Sequence, residues 1–337
     1  MNWLENIEQL TVDITSYCNS HCGTCQRHVS QNDDTLHKGL ELYHMPLTTW
    51  QKLMKDARNF GIKQIHLNGN WGDACMHPDM LKFAQSCVDH KIGCMISTNG
   101  SLRTKVFWKK LAKILQNYGE VTFCVDGLED THSIYRKKTS FNKIIENCKE
   151  FNLNGGVSRM ITTAFNHNLH QLKELEELAE QIGCASFEIR KSHTNKEYIS
   201  NDLKISVSEV KPTHIHKTRF YNPDMHHKGV SPDLDSKCPW YKMRDVQIDP
   251  WGRLYTCCFA SETRYGFDRN GDKFPGYENY SDNSNNVNDK TLEEIFSSDF
   301  FQNIAPKINN GEWHICYDNC NIPNQYWQEL ENKESKI

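Results

Sequence analysis

The chain has 337 residues, a net charge of −4 and 11% aromatic residues. That is enough length for one large domain and a small one, in a globular composition, and without a long basic run no nucleic-acid partner is expected. Met1 to Leu10 holds Glu5 and Glu8 and no apolar signal segment, and no run has membrane-spanning length, so the fourteen cysteines point to metal or cluster binding in a cytoplasmic protein rather than to disulfides.

Strand-like and helix-like segments then alternate. Leu10 to Thr15 reads as a first strand, and Thr48 to Phe60 as a helix opened by a Thr48-x-x-Gln51 capping box. Gln64 to Asn68 is a second strand, followed by a helix over Pro78 to His90 with proline near its start. Gly93 to Ser97, Val121 to Val125, Val157 to Thr163 and Ser186 to Ile189 are further strands. Leu102 to Tyr118 and Phe141 to Phe151 are helices, and Leu169, Leu172, Leu175, Leu178 and Ile182 mark an amphipathic one. Six such repeats predict a parallel sheet with helices outside. Six are too few to close an eight-stranded barrel. The expected α/β fold is a partial (β/α)6 TIM-like barrel over residues 1–190, with its chemistry at the carboxyl ends of the strands. Residues 191–236 read as a polar connector, and 237–337 as a small C-terminal domain of β-hairpin plus helix. The hairpin runs Arg244 to Asp249, turns at Asp249-Pro250-Trp251-Gly252 and returns over Arg253 to Cys258. The helix runs from a Thr291-x-x-Glu294 capping box to about Ile308.

Cys18, Cys22 and Cys25 stand in the loop after the first strand with the spacing C-x3-C-x2-C. Three thiolates can hold three irons of a cubic [4Fe–4S] cluster and leave the fourth open to a substrate or cofactor. The alternative is zinc, with His21 or His28 completing a Cys3His tetrahedron. The spacing resembles the defining signature of the radical SAM enzymes. That resemblance implies an open iron that binds the amino and carboxylate groups of S-adenosylmethionine, and reductive cleavage to a 5'-deoxyadenosyl radical.

Later segments resemble the same family in order. Aligned on His77-Pro78, the residues Trp71, Gly72, Asp73 and Ala74 fall where the family carries Gly-Gly-Glu-Pro. Gly72 and Asp73 keep the sense, a bare backbone and an acceptor for the cofactor's ammonium group; Trp71 and Ala74 depart from it. Ser97-Thr98-Asn99-Gly100 resembles the family's Thr-Asn-Gly segment and makes Ser97 and Asn99 candidate cofactor-binding residues. Cys124-Val125-Asp126-Gly127 resembles the Ser-x-Asp-Gly of peptide-modifying subfamilies. It adds Asp126, and Arg136 as a partner for the cofactor's carboxylate. Thr24 departs from the aromatic residue usual before the third cysteine.

Cys238, Gly252 and Cys257 resemble the opening of a SPASM domain. With Cys316 and Cys320 they match its shortened Twitch form, in which four cysteines hold one auxiliary [4Fe–4S] cluster. Four thiolates also suit zinc. His193, His214, His216, His226 and His227 read as scattered histidines of a solvated connector, and Asp268-x-Asn270-x-Asp272 as a turn, because Asn279 stands where a calcium loop needs glutamate. Cys87, Cys94, Cys148 and Cys184 read as small buried hydrophobes. Cys75 and Cys124 lie near strand ends and are candidate catalytic hydrogen-atom donors, as in the superfamily's peptide epimerases. The resemblance implies an oxidoreductase or maturase with S-adenosylmethionine and two [4Fe–4S] clusters, served by a reducing electron-transfer protein. It acts on a small molecule or a peptide by oxidation, rearrangement, epimerisation or cross-linking. The chain begins almost at its first strand, which leaves no appended peptide-recognition domain and slightly favours a small substrate. A non-catalytic zinc- or iron–sulfur-binding module is the alternative.

Overall fold

The computed structural model describes residues 5, 7–23, 25–30, 33–37, 40–191, 198–200, 203–205, 214–216, 238–261 and 285–304. Six strands form the frame: β1 Gln9–Val12, β2 Gln64–Leu67, β3 Gly93–Thr98, β4 Gly119–Cys124, β5 Ser158–Ala164 and β6 Ser186–Lys191. Each pairs in parallel with the next. Helices α1 Leu47–Phe60, α2 Met80–Asp89, α3 Lys105–Leu115, α4 Phe141–Leu153 and α5 Leu172–Gln181 make the crossovers. Strand side chains alternate between faces. Ile65, Leu67, Ile96, Val121, Phe123 and Met160 are buried in one continuous core with Trp50, Leu53, Phe83, Trp108 and Phe151 of the helices. The alternate positions, Gln64, His66, Ser97, Thr122, Cys124 and Arg159, give the other face of the sheet a polar lining.

Helix starts differ from expectation. Leu47, not Thr48, is the first residue of α1; its cap is the extended Pro46, with no side-chain cap bond, so the Thr48 capping box does not form. Before α2 the chain makes a 3-10 turn over Ala74–Met76, and α2 begins at Met80 rather than Pro78. Thr104 caps α3 by accepting the Phe107 N–H, and α5 is preceded by a 3-10 turn at Leu169–Gln171.

The sheet does not stop at six strands. Asp245–Ile248 (β7) lies parallel to β1, and Leu254–Tyr255 (β8) returns antiparallel to β7. Gly252 N–H donates to Asp249 O at 3.0 Å and closes the turn. The hairpin that opens the expected C-terminal domain is therefore built onto the edge of the barrel strand β1. At the opposite edge His214–His216 pairs antiparallel with β6, giving nine strands in all among the described residues. Helix α6, Leu292–Phe296, has the expected Thr291/Glu294 capping box but ends earlier, and a π-helical turn follows at Phe300–Ile304. Asp56 of α1 accepts the Leu292 N–H at 2.6 Å and ties α6 to the barrel. Cys316, Cys320, the helix beyond Ile304, the Asp268–Asp272 turn, His193, His226 and His227 lie outside the described residues. Among those described, no helix is long and apolar enough to cross a membrane.

Candidate functional site

The loop after β1 is held at both ends. Ser16 N–H donates to Tyr43 O at 2.9 Å, and His21–Cys22 pairs antiparallel with Arg136–Lys137. Cys18, Cys22 and Cys25 are part-exposed cysteines outside any disulfide. Hydrogen-bond donors face the sulfurs: Ser20 N–H lies 3.4 Å from Cys18 Sγ, Ser20 Oγ 3.1 Å from Cys22 Sγ and Arg136 Nη1 3.8 Å from Cys22 Sγ. Burial, then the charges of Asp73 and Cys22, push the Cys18 thiol up, and Arg27 opposes them. Arg27 is itself buried, with Nη2 donating to Ser16 O at 2.8 Å. His21 stacks on His28 with ring centroids 3.9 Å apart. Among the described residues no three His, Cys, Asp or Glu side chains gather around one ion-sized point. The donors around the Cys18 and Cys22 sulfurs suit a group that carries negative charge.

The segment after β2 packs against this loop. A Cβ on Gly72 would meet Thr15 O at 2.4 Å and Tyr17 O at 2.6 Å, so only a bare backbone fits. Asp73 N–H donates to Tyr17 O at 2.8 Å. The expectation for the Asp73 side chain needs correction. Its oxygens accept from Cys75 N–H (2.9 Å), Thr98 Oγ1 (2.9 and 3.0 Å), Asn99 N–H (2.7 Å) and Asn99 Nδ2 (2.6 Å). A carboxylate so occupied has no lone pair left for an incoming ammonium. Burial nonetheless raises its pKa above the ordinary value. Through these bonds Asp73 ties β3's end to the Gly72 segment.

Asn99 is the hub of that tie. The same Nδ2 lies 2.8 Å from Asn19 Oδ1 and 3.9 Å from Cys18 Sγ. Asp126 also turns inward. It has no exposed surface, and its oxygens accept from Arg136 Nε at 2.5 Å and Thr163 N–H at 2.6 Å. Arg136 is thereby aimed, with its Nη1 end toward Cys22. His132 Nδ1 accepts the Asp126 N–H at 3.2 Å, and burial and Arg136 lower its pKa to about 4. Ser97 Oγ bonds His66 Nε2 at 2.8 Å; burial and the charges of Arg190 and Arg159 bring His66 to about 4, so its ring is neutral. Cys124, at the end of β4, lies within electrostatic reach of Arg136, Asp126 and Arg190, with its thiol raised by burial. Cys75 has no exposed surface and packs in the apolar core.

Cys238 and Cys257 are both buried, at 6% exposure. Each sulfur accepts backbone N–H groups of a following helical turn: Trp240 and Tyr241 for Cys238, and Ala260 at 3.3 Å for Cys257. Cys258 does not alternate with Cys257 along a strand, as the hairpin pattern implied. β8 ends at Tyr255, and Cys258 opens a short helix through Ser261. That turn docks on the β2 loop, where Ser261 Oγ meets Trp71 Nε1 at 3.2 Å and Asn70 Nδ2 at 3.0 Å. Trp71, a departure from the family pattern, fastens the C-terminal segment beside the first cysteine loop. Arg27, His66 and Asp13 were not singled out from sequence. Asp13 accepts Gly69 and Asn70 N–H groups at 3.0 and 2.7 Å, and burial raises its pKa. The signals were an arginine two residues past Cys25, and polar residues in phase on the lumen side of β1 and β2.

A model of the radical SAM superfamily matches residues 12–179. Among solved structures, Streptococcus suis SuiB bound to S-adenosylmethionine is similar at a TM-score of 0.58 and 16% identity, covering 88% of this chain and 67% of that one. SuiB bound to the precursor peptide SuiA gives 0.57 and 16%, covering 88% and 66%. The anSMEcpe enzyme with AdoMet and the Cp18Cys peptide gives 0.54 and 13%, covering 87% and 81%. Identities this low establish a shared fold, and no curated protein matches in sequence. With the parallel six-stranded frame and the cysteine loop at its carboxyl rim, these matches show that the chain carries a domain of the radical SAM superfamily.

Proposed function

We propose that this chain is a radical SAM enzyme that cleaves S-adenosylmethionine reductively and abstracts a hydrogen atom from a peptide or small polar substrate. One arrangement carries the reading: the Cys18–Cys25 loop, Asn99 and Arg136 meet at one rim of the partial barrel. Cys18, Cys22 and Cys25 would hold a [4Fe–4S] cluster, which when bound supplies the electron that breaks the cofactor's sulfonium. Gly72 lets the β2 loop lie against the cysteine loop, where a side chain would not fit. Asp73 holds Asn99, and Asp126 aims Arg136 at the cofactor's carboxylate. The lining of His66, Ser97, Thr122 and Arg159 receives the substrate, and Cys124 is the thiol placed to return a hydrogen atom. Support for a peptide comes from the relatives solved with SuiA and Cp18Cys.

A second [4Fe–4S] cluster on Cys238, Cys257, Cys316 and Cys320, in a Twitch-like segment within 237–337, would take up an electron or bind substrate. The docking of Ser261 on Trp71 and Asn70 supports its nearness to the site. A reducing electron-transfer protein in the cytoplasm would supply the first electron.

The test uses protein reconstituted with iron and sulfide under a strong reductant. Methionine and 5'-deoxyadenosine should form, slowly without substrate. Changing Cys18, Cys22 and Cys25 together to alanine should abolish this and leave any second cluster's iron. Undiminished cleavage in the triple variant would sink the proposal.

A further inference from the structure

Cys148 lies on α4, and Cys184 in the turn from α5 into β6. Both sit near the amino ends of β5 and β6, the opposite end of the barrel from the cysteine loop. Their Sγ atoms are 3.6 Å apart. Ser158 Oγ stands between them, 3.5 Å from Cys148 and 3.4 Å from Cys184. Asn152 Nδ2 points at Cys148 Sγ from 3.6 Å and donates to Ile182 O at 2.8 Å, tying helix to turn. The two sulfurs are therefore held in contact by groups from three segments: α4, the start of β5 and the turn before β6.

The pair is asymmetric. Cys148 is buried, and Cys184 is part-exposed. Hydrogen bonds from Cys148, Ser158 and Asn152 favour the Cys184 thiolate over its thiol, whereas burial holds Cys148 protonated. The thiolate is the nucleophile in exchange chemistry, so the accessible member of the pair is also the reactive one. A second pair provides an internal contrast. Cys87 and Cys94 also bond each other, but at 0% and 1% exposure no reagent reaches them.

We propose that Cys148 and Cys184 form a reactive dithiol that closes to an intramolecular disulfide by exchange with a small-molecule disulfide. Cys184 attacks one sulfur of the reagent, the reagent's disulfide bond breaks, and one thiolate leaves. Cys148 then loses its proton to solvent and attacks Cys184 Sγ, expelling the second reagent thiolate. Two protein thiols are oxidised and one small disulfide is reduced to two thiols. The product staples α4 to the start of β6, the strand that carries Glu188 and Arg190.

The full-length protein, purified anaerobically with its metal, is incubated with oxidised glutathione, quenched in acid, alkylated while denatured and digested without reductant. A peptide joining Cys148 to Cys184 should become the dominant form of both residues and revert with dithiothreitol, while Cys87 and Cys94 are recovered alkylated. Cys148→Ser should stop at a glutathione adduct on Cys184, and Cys184→Ser should leave Cys148 unmodified. Separate alkylated Cys148 and Cys184 peptides after excess reagent would overturn the proposal. So would glutathione on Cys148 of Cys184→Ser at the rate of the wild-type reaction. The wild-type peptide map decides alone if either variant fails to fold.

Discussion

Asp73→Ala distinguishes a positioning carboxylate from a ligand-binding one. The substitution strands two main-chain donors, Cys75 N–H and Asn99 N–H, and two side-chain donors, Thr98 Oγ1 and Asn99 Nδ2. A buried donor left without a partner costs about 1–3 kcal/mol, so the two main-chain groups alone set a range of about 2–6 kcal/mol. The removed carboxylate was itself disfavoured by burial, as its raised pKa indicates, and this places the net loss in the lower half, about 2–4 kcal/mol. For 337 residues at about 2.1 cal/mol/K per residue, the unfolding midpoint falls by about 3–6 °C. The assay is thermal unfolding without cofactor, beside S-adenosylmethionine affinity by calorimetry. Affinity should fall too, because Asn99 loses its anchor. A ligand-contacting Asp73 would show lost affinity at an unchanged midpoint. That outcome would refute the positioning role and return the ammonium to this side chain.

Three further outcomes are expected. Gly72→Ala forces its Cβ against Thr15 O and Tyr17 O; it should cost about 1–3 kcal/mol by overpacking and lower the iron retained on the first loop, and full iron content would show that the loop gives way freely. Asp245 accepts from Gln9 Nε2 and Thr11, and burial raises its carboxyl from an ordinary 3.8 to about 6. A raised acid stabilises the fold while protonated, so this contribution is present below about pH 4 and lost as pH rises to about 6, about 3 kcal/mol in all. Asp245→Asn should remove that slope, read as the difference between denaturant unfolding at pH 4 and at pH 7; parallel curves for the two proteins would contradict it. Cys257→Ala should lose the auxiliary iron and Cys258→Ala should keep it, both counted in the background lacking Cys18, Cys22 and Cys25. The reverse pattern would move the ligand to Cys258.

The strands were legible because each carries a short β-branched or aromatic run bounded by turn residues, as Gly93–Thr98 does before Asn99-Gly100. Boundaries drifted where tertiary contacts choose the cap. Thr48 has the chemistry of an N-cap, but the helix is capped two residues earlier, at Pro46. The acids after β2 and β4 were visible as acids in the right places. Their orientation was not, since Asp73 faces Asn99 and Asp126 faces Arg136 through contacts that no local spacing encodes. The pairing of β7 with β1 was invisible for the same reason: a parallel pair leaves no turn between its strands to betray it.

That pairing also sets an order of assembly. Gln9 and Asp245 are 236 residues apart and joined by a 2.6 Å hydrogen bond, and Asp13 N–H donates to Ile248 O at 2.9 Å. During synthesis β1 can pair with β2 early, but its other edge stays bare until about three quarters of the chain has left the ribosome. The strand leading into the first cysteine loop is thus among the first made and the last completed. Contacts of such long sequence separation slow folding, and an unpaired strand edge invites other chains. The nascent protein therefore passes through an interval in which its Cys18–Cys25 loop hangs from an unfinished sheet.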